Sequence, residues 1–284
     1  MKMYLNGQIV GEQDAVMSPF DHGFLYGMGV FETFRTYDGH PFLLADHLER
    51  LNAALKEMNI DYEMEFEQTR EIIRRLLEAN GGEDGYFRLN ISAGERGIGL
   101  DPTPYSEPTV MLLQKPIPPV LASKTGQWLK LRRNTPETVI RLKSHHYLNN
   151  LAARREISSP SIEGLFLTEG GFAAEGITSN LFWVNGDTLF TPAVETGILP
   201  GVTRKLVMRL AKLEGFRIEE GFFKPEEVER ADEVFVTNSI QELIPLTELG
   251  AATFNGQHIT RSLKSLYKQA VEDRLNAVNE VNRS

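Results

Sequence analysis

Five places along the chain carry side chains able to do chemistry on a small molecule. Lys143 lies in RLKSHHYLNN, two residues after Arg141 and followed by His145 and His146. A lysine amine forms Schiff bases with carbonyl groups once it sheds its proton, and desolvation or nearby positive charge favours that neutral form. Arg141 and a protonated His145 or His146 are the local sources of such charge; the same ten residues also read as a solvated basic face. Glu175 is the one ionisable side chain in FAAEGITSNLFWV. A carboxylate among apolar and small residues is costly without a partner, and a protonated ring nitrogen is one such partner. A hairpin turn near Gly170, Gly171 and Gly176 is the alternative.

In ILPGVTRKLV, Pro200 and Gly201 break the chain directly before a helical pattern. The amides of Val202 and Thr203 and the Thr203 hydroxyl then stand at a helix N-terminus, which is either an anion site or a plain cap. TNSIQELIP follows the strand-like EVFV, so Thr237, Asn238 and Ser239 fall at a strand's C-terminal end, where open α/β sheets bind ligands or simply turn. Arg50 is a guanidinium clamp for phosphate or the i, i+4 partner of Asp46.

These residues have to be positioned by a mixed set of elements. GVFETFRTY, YFRLNISA, TVMLLQK, QWLKLRR, EGLFLTE, SNLFWV and DEVFVTN are rich in β-branched, aromatic and aliphatic residues and predict strands. Leu44, Leu48, Leu51 and Leu55 recur at helical spacing, as do Leu206, Leu210 and Leu213 before a Gly215 stop. Residues 115–126, KPIPPVLASKTG, concentrate Pro, Ser and Gly and predict an interdomain connection. The expected layout is a smaller N-terminal α/β domain over 1–115, a linker over 116–126, and a larger C-terminal domain over 127–284 that holds Lys143. The last dozen residues, DRLNAVNEVNRS, read as a helix fraying into a tail.

Composition narrows the function. Thirty Lys and Arg against 39 Asp and Glu give a net charge of -9, which disfavours a nucleic acid or an anionic membrane as main partner. With no cysteine, disulfides, thiolate catalysis and cysteine metal sites are excluded. The six histidines lack metal-motif spacing, and no metal is expected. The N-terminal stretch is broken by Asn6, Gly7 and Gly11 before a signal core forms, and no run approaches the roughly 20 apolar residues of a membrane span. A cytoplasmic location is the default expectation.

The order of a helix arginine, a mid-chain lysine, an apolar-embedded glutamate, a Pro-Gly helix start and a polar strand end resembles the fold-type IV pyridoxal-phosphate enzymes. These include branched-chain and D-amino-acid aminotransferases and 4-amino-4-deoxychorismate lyases. The resemblance spans nearly the whole chain and implies a two-domain, mixed α/β, D-amino-acid aminotransferase-like fold and a homodimer. It makes Lys143 the Schiff-base lysine and Glu175 the partner of the pyridine nitrogen. Arg50, Val202, Thr203 and Ser239 become phosphate ligands, Leu199 packs on the ring, and Ser179, Asn180 and Asn238 join the cofactor site. The family often has threonine at the position of Ser239, so the hydroxyl is kept.

Within the family, SPFDHGFLYGMGVFETFRTYDG, RLKSHHYLNNLAARREI and AEGITSNLFW look most like the Bacillus-type lyases, which act in folate synthesis downstream of aminodeoxychorismate synthase. The implied reaction converts aminodeoxychorismate to p-aminobenzoate and pyruvate: the substrate amine displaces Lys143 from the cofactor, the freed lysine removes a proton, and enolpyruvate leaves. Thr33, small or apolar in the aminotransferase relatives, is expected to position or donate a proton, its plainer reading being strand preference. Arg88, Arg96 and Tyr26 are candidates to meet the dicarboxylate substrate. Arg88 stands where branched-chain aminotransferases keep a carboxylate-binding arginine, which keeps an aminotransferase as the alternative. His22 beside Asp21 reads as a structural hydrogen-bond partner.

Overall fold

The computed structural model describes residues 1–281 and divides into two compact units. The first unit comprises Met1–Pro118, Leu142–His146 and Arg274–Ala277; the second comprises Pro119–Arg141, Tyr147–Asp273 and the segment from Val278 on. This differs from the expected layout, because Lys143 belongs to the first unit.

The first unit contains β1 (Lys2–Leu5), β2 (Gln8–Gly11), α1 (His22–Tyr26), β3 (Gly29–Tyr37), β4 (His40–Pro41), α2 (Leu44–Glu57), α3 (Phe66–Ala79), β5 (Tyr86–Ser92) and β6 (Thr109–Lys115). Its six-stranded sheet runs β2-β1-β6-β5-β3-β4, with every pairing antiparallel. Asn6 and Gly7 make the β1–β2 turn at φ 44° and 93°, the left-handed pair that Asn-Gly adopts readily in hairpins.

The leucine stripe of α2 is buried as its spacing predicts, alongside Ile72, Ile73, Leu76 and Leu77 of α3. Val30, Phe34, Phe87, Leu89 and Ile91 of the sheet meet these side chains in one apolar core. Alternation along β3 turns Thr33, Arg35 and Tyr37 to a half-buried face. Lys143 enters this unit through its backbone. Phe31 N–H donates to the Lys143 carbonyl at 2.8 Å, His145 N–H donates to Gly29 at 2.9 Å, and Val30 bridges Ser144 antiparallel to β3.

The second unit contains β7 (Lys124–Trp128), α4 (Leu148–Arg154), β8 (Ile162–Leu167), β9 (Ala173–Gly176), β10 (Asn180–Asn185), β11 (Thr188–Pro192), α5 (Val202–Leu213), β12 (Arg217–Gly221), α6 (Pro225–Glu229), β13 (Glu233–Asn238), β14 (Glu242–Leu249), β15 (Ala252–Thr253) and α7 (His258–Glu272). The strands run β12-β11-β10-β13-β14-β7-β8-β9, and β9 pairs back onto β10, closing six of them into a ring. Leu181, Trp183, Val234, Val236, Ile244 and Leu246 are packed together in one of its cores.

Two local expectations shift here. The strand expected at QWLKLRR instead starts inside the expected linker, at Lys124, because Gly126 lets β7 lie close against Leu246 and Leu249 of β14. The C-terminal tail does not fray from 273 on: Leu43 and Ala45 donate to the carbonyls of Leu275 and Asn276, and Leu275, Val278 and Val281 are buried. Residues 282–284 of that reading lie outside the described residues. No helix among the described residues is long and apolar enough to cross a membrane.

Candidate active site

In the first unit, chemistry-bearing side chains gather on the half-buried face of β3. Directly opposite residues on antiparallel strands share a face, so the pairs Phe31–Asn90 and Thr33–Arg88 place these four together. The Lys143 amine lies 4.5 Å from the centroid of the Phe31 ring, and the Arg88 guanidinium lies 3.6 Å from it. Arg88 Nε donates to Asn90 Oδ1 at 3.0 Å, which fixes the plane of the cation. The sequence-based grouping of Lys143, Thr33 and Arg88 is thus a grouping in space within this unit.

His145 stacks beside Phe31 with ring centroids 6.3 Å apart, and it stands where a side chain on Gly29 would fall 2.5 Å from its Nδ1. Burial, with the Arg88 charge adding, pushes its pKa down from 6.5 to about 4 despite the opposing Asp21. The imidazole is therefore neutral at pH 7 and supplies no positive charge to Lys143, contrary to the sequence expectation.

That depression has a consequence for stability. Above pH 6.5 both folded and unfolded chains carry a neutral His145. As pH falls from 6.5 towards 4 the unfolded chain takes the proton first, so folding weakens by up to about 3 kcal/mol. His47, also lowered, acts in the same direction. Urea midpoints at pH 7 and pH 4.5 are expected to differ less in His145→Gln than in the parent; equal differences would refute the assignment.

Behind this face, Arg50 of α2 donates Nε and Nη2 to Glu32, each at 2.7 Å, and His47 Nδ1 is 2.7 Å from the same carboxylate. Glu32 is 1% exposed. Burial raises its pKa, yet the Arg50 charge and the bonds from His47 and Arg50 outweigh that and bring it to about 2. Arg50 is consequently a cation aimed by a buried carboxylate. Glu32 and His47 escaped the sequence reading, although Glu32 was findable: it is an ionisable residue in the apolar strand GVFETF, the signal used for Glu175.

Three other candidates turn out to hold a loop. Arg96 donates Nη1 to the Thr103 carbonyl and hydroxyl at 2.6 and 3.0 Å, bonds the Pro104 carbonyl, and lies over the Tyr105 ring. Tyr26 accepts from Gly99 N–H at 3.0 Å. His22, buried, bonds the Tyr105 hydroxyl and the Gly97 carbonyl, as its structural reading expects. These bonds favour loop fixing over substrate binding for Arg96 and Tyr26.

In the second unit, Glu175 and Asn180 face each other across the β9–β10 hairpin, and Asn180 is opposite Thr237 of β13. Glu175 is 4% exposed. One oxygen accepts from Arg133 Nε at 2.8 Å with Arg141 Nε at 3.9 Å, and the other accepts from Leu199 N–H at 2.9 Å. Asn180 Nδ2 donates to the Leu199 carbonyl at 2.8 Å. Arg133 gave no local signal in the sequence.

Ser179 donates its hydroxyl to Glu163 at 2.6 Å, and Glu163 in turn accepts from Lys124 at 2.6 Å, both buried. Ser179 therefore pins the hairpin that carries Glu175 and Asn180. Asn238 Oδ1 accepts from the amides of Ile240 and Gln241 and shapes the turn after β13, the plainer of its two readings.

At the start of α5 the Gly201 N-cap has no side-chain cap, and the first turn has no acidic residue. Thr203 and Ser239 hydroxyls lie 3.3 Å apart. A side chain on Gly201 would fall 2.0 Å from Asn180 Oδ1, so only glycine lets the helix start approach the Glu175–Asn180 row. First-turn amides without a side-chain cap, two hydroxyls and a helix dipole suit a phosphate, and a buried carboxylate suits a ring N–H. This second-unit donor set fits a phosphorylated pyridine.

Residues 29–249 match the family model Amino-transferase class IV, and the chain belongs to that family. It is 46% identical over 278 residues, 95% of each chain, to the aminodeoxychorismate lyase of Bacillus subtilis (strain 168). Its fold is similar to the 4-amino-4-deoxychorismate lyase from Pseudomonas aeruginosa, with TM-score 0.85, 27% identity and 94% and 98% of the two chains covered. It is also similar to the branched-chain aminotransferase from the thermophilic archaeon Thermoproteus uzoniensis with norvaline, with TM-score 0.88, 28% identity and coverage of 96% and 95%.

Proposed function

We propose that the chain is a pyridoxal-phosphate-dependent lyase that converts 4-amino-4-deoxychorismate to p-aminobenzoate and pyruvate. The observation that carries this reading is the 46% identity to a Bacillus aminodeoxychorismate lyase across 95% of both chains. When bound, the protonated pyridine ring supplies an electron sink for the charge left by proton removal.

The protein's own residues do the rest. The Lys143 amine would hold the cofactor and, as a free amine, would take the proton from the amine-bearing carbon of the substrate. Glu175, kept in place by Arg133 and the Leu199 amide, keeps a proton on the ring nitrogen. Asn180 fixes the Leu199 backbone so that the leucine side chain can pack on the ring. Val202 and Thr203 amides, the Thr203 and Ser239 hydroxyls and the Arg50 guanidinium hold the phosphate. Arg88 meets a substrate carboxylate, and Arg96 and Tyr26 shape the neighbouring loop. Loss of enolpyruvate makes the substrate's own six-membered ring aromatic, so no second substrate is needed.

Thr33 shares the Arg88 face and hands a proton to the departing enolpyruvate. Thr33→Val is expected to lower kcat by about 10²-fold with KM little changed, the general-acid range; full lyase activity would sink the role. A homodimer and a cytoplasmic location go with this reading. Exposed Phe24, Ile98 and Leu100 favour assembly, for which an elution mass near twice 32.0 kDa is the mark.

The direct test is product balance. A lyase releases pyruvate and p-aminobenzoate in equal amounts, followed by lactate dehydrogenase coupling and by fluorescence respectively. The second reading, an aminotransferase acting on branched-chain or D-amino acids, is favoured by the likeness to the Thermoproteus uzoniensis enzyme and would release neither.

A further inference from the structure

Thr237 Oγ1 is a buried hydroxyl with no hydrogen-bond partner among the described residues, and its residue is 2% exposed. An unsatisfied buried hydroxyl is destabilising, whereas valine would have the same shape and no such penalty. Its neighbours show what it faces. Glu175, Asn180 and Thr237 are directly opposite one another across β9, β10 and β13, so the three side chains share one sheet face.

Asn180 does not satisfy it, because its Nδ2 is given to the Leu199 carbonyl and its Oδ1 is packed against Gly201 at the start of α5. Ser239 lies two residues beyond Thr237 and brings its hydroxyl 3.3 Å from that of Thr203, in the first turn of that helix. The row that begins at the Glu175 carboxylate therefore runs by way of Thr237 towards the uncapped amides and hydroxyls suited to an anion.

We propose that the Thr237 hydroxyl is a further donor to the phosphate monoester of the cofactor, closing the anion site on the strand side. This rests on the pyridoxal-phosphate reading above. A hydrogen bond to a charged group is the stronger kind, and the hydroxyl gives it from a position already desolvated.

The test measures binding rather than turnover. Apo-protein is titrated with pyridoxal phosphate and, separately, with pyridoxal, which lacks the phosphate. In Thr237→Val the Kd for pyridoxal phosphate is expected to rise about 10- to 100-fold while that for pyridoxal stays the same. Thr237→Ser, which keeps the hydroxyl, is expected to restore binding. The cofactor-free Tm of Thr237→Val is expected to stay level or rise, which separates the loss from misfolding. Equal weakening for both ligands would mean a contact with the ring and would overturn the proposal. Unchanged binding of both would overturn it too, and would reduce the hydroxyl to the holder of a buried water. A parent protein binding neither ligand would overturn the cofactor reading itself, and this inference with it.

Discussion

Lys143→Ala is expected to lose the visible absorption of a lysine-bound cofactor and to lower turnover by about 10²–10⁴-fold or more, since one side chain is both anchor and proton acceptor. Position supports the choice of lysine. Lys124, the buried lysine of β7, is bonded to Glu163 and Gln241, a structural arrangement. Lys143 instead holds its amine over Phe31 on the face that carries Arg88 and Thr33. Borohydride reduction of the parent followed by peptide mapping should put the pyridoxyl label on Lys143. An unchanged spectrum in the alanine variant would refute the assignment.

Glu175→Gln is the second large effect, and its origin is donor counting. The carboxylate accepts from Arg133 on one oxygen and from the Leu199 amide on the other. An amide side chain has one acceptor oxygen, so one of those buried N–H groups must face an NH₂ donor. The Arg133 guanidinium also loses its countercharge in a buried place. Together these are expected to lower folding stability by about 3–5 kcal/mol, measured by urea denaturation. The proton on the ring nitrogen loses its partner too, and kcat is expected to fall about 10²–10³-fold, the range seen when a preorganised electrostatic group is removed. A stable Glu175→Gln protein with parent kcat would mean that this carboxylate does not serve the ring.

Much of this was legible in the sequence, for reasons that differ by residue. The α2 leucines declare themselves by spacing, since burial of a helix face imposes that period. Glu175 was visible because a lone carboxylate in an apolar run needs a partner. Lys143 was ambiguous in its ten residues, and only the order of residues along the chain singled it out as the candidate.

Most of what escaped was non-local. Arg133 is 42 residues from Glu175, and nothing near either residue announces the bond. The membership of Lys143 in the first unit follows from backbone pairing with Gly29 and Phe31, more than 110 residues away in the chain. For Arg96 and Ser179 the sequence could not show the bonds to Thr103 and Glu163, because a polar side chain near a site serves either a ligand or the surrounding protein and both partners are set by the fold. Glu32 is the local exception, a lone carboxylate in the apolar run of β3 that needs a buried partner just as Glu175 does.

The central claim is that the chain eliminates enolpyruvate without a second substrate. The measurement that tests it most directly follows p-aminobenzoate fluorescence after purified holoenzyme is mixed with enzymatically generated aminodeoxychorismate, in one tube with a 2-oxo acid and in another without. A lyase gives equal multiple-turnover product in both tubes. Product that depends on the 2-oxo acid, or none in either tube, would contradict the claim and point to an aminotransferase with Arg88 as its carboxylate anchor.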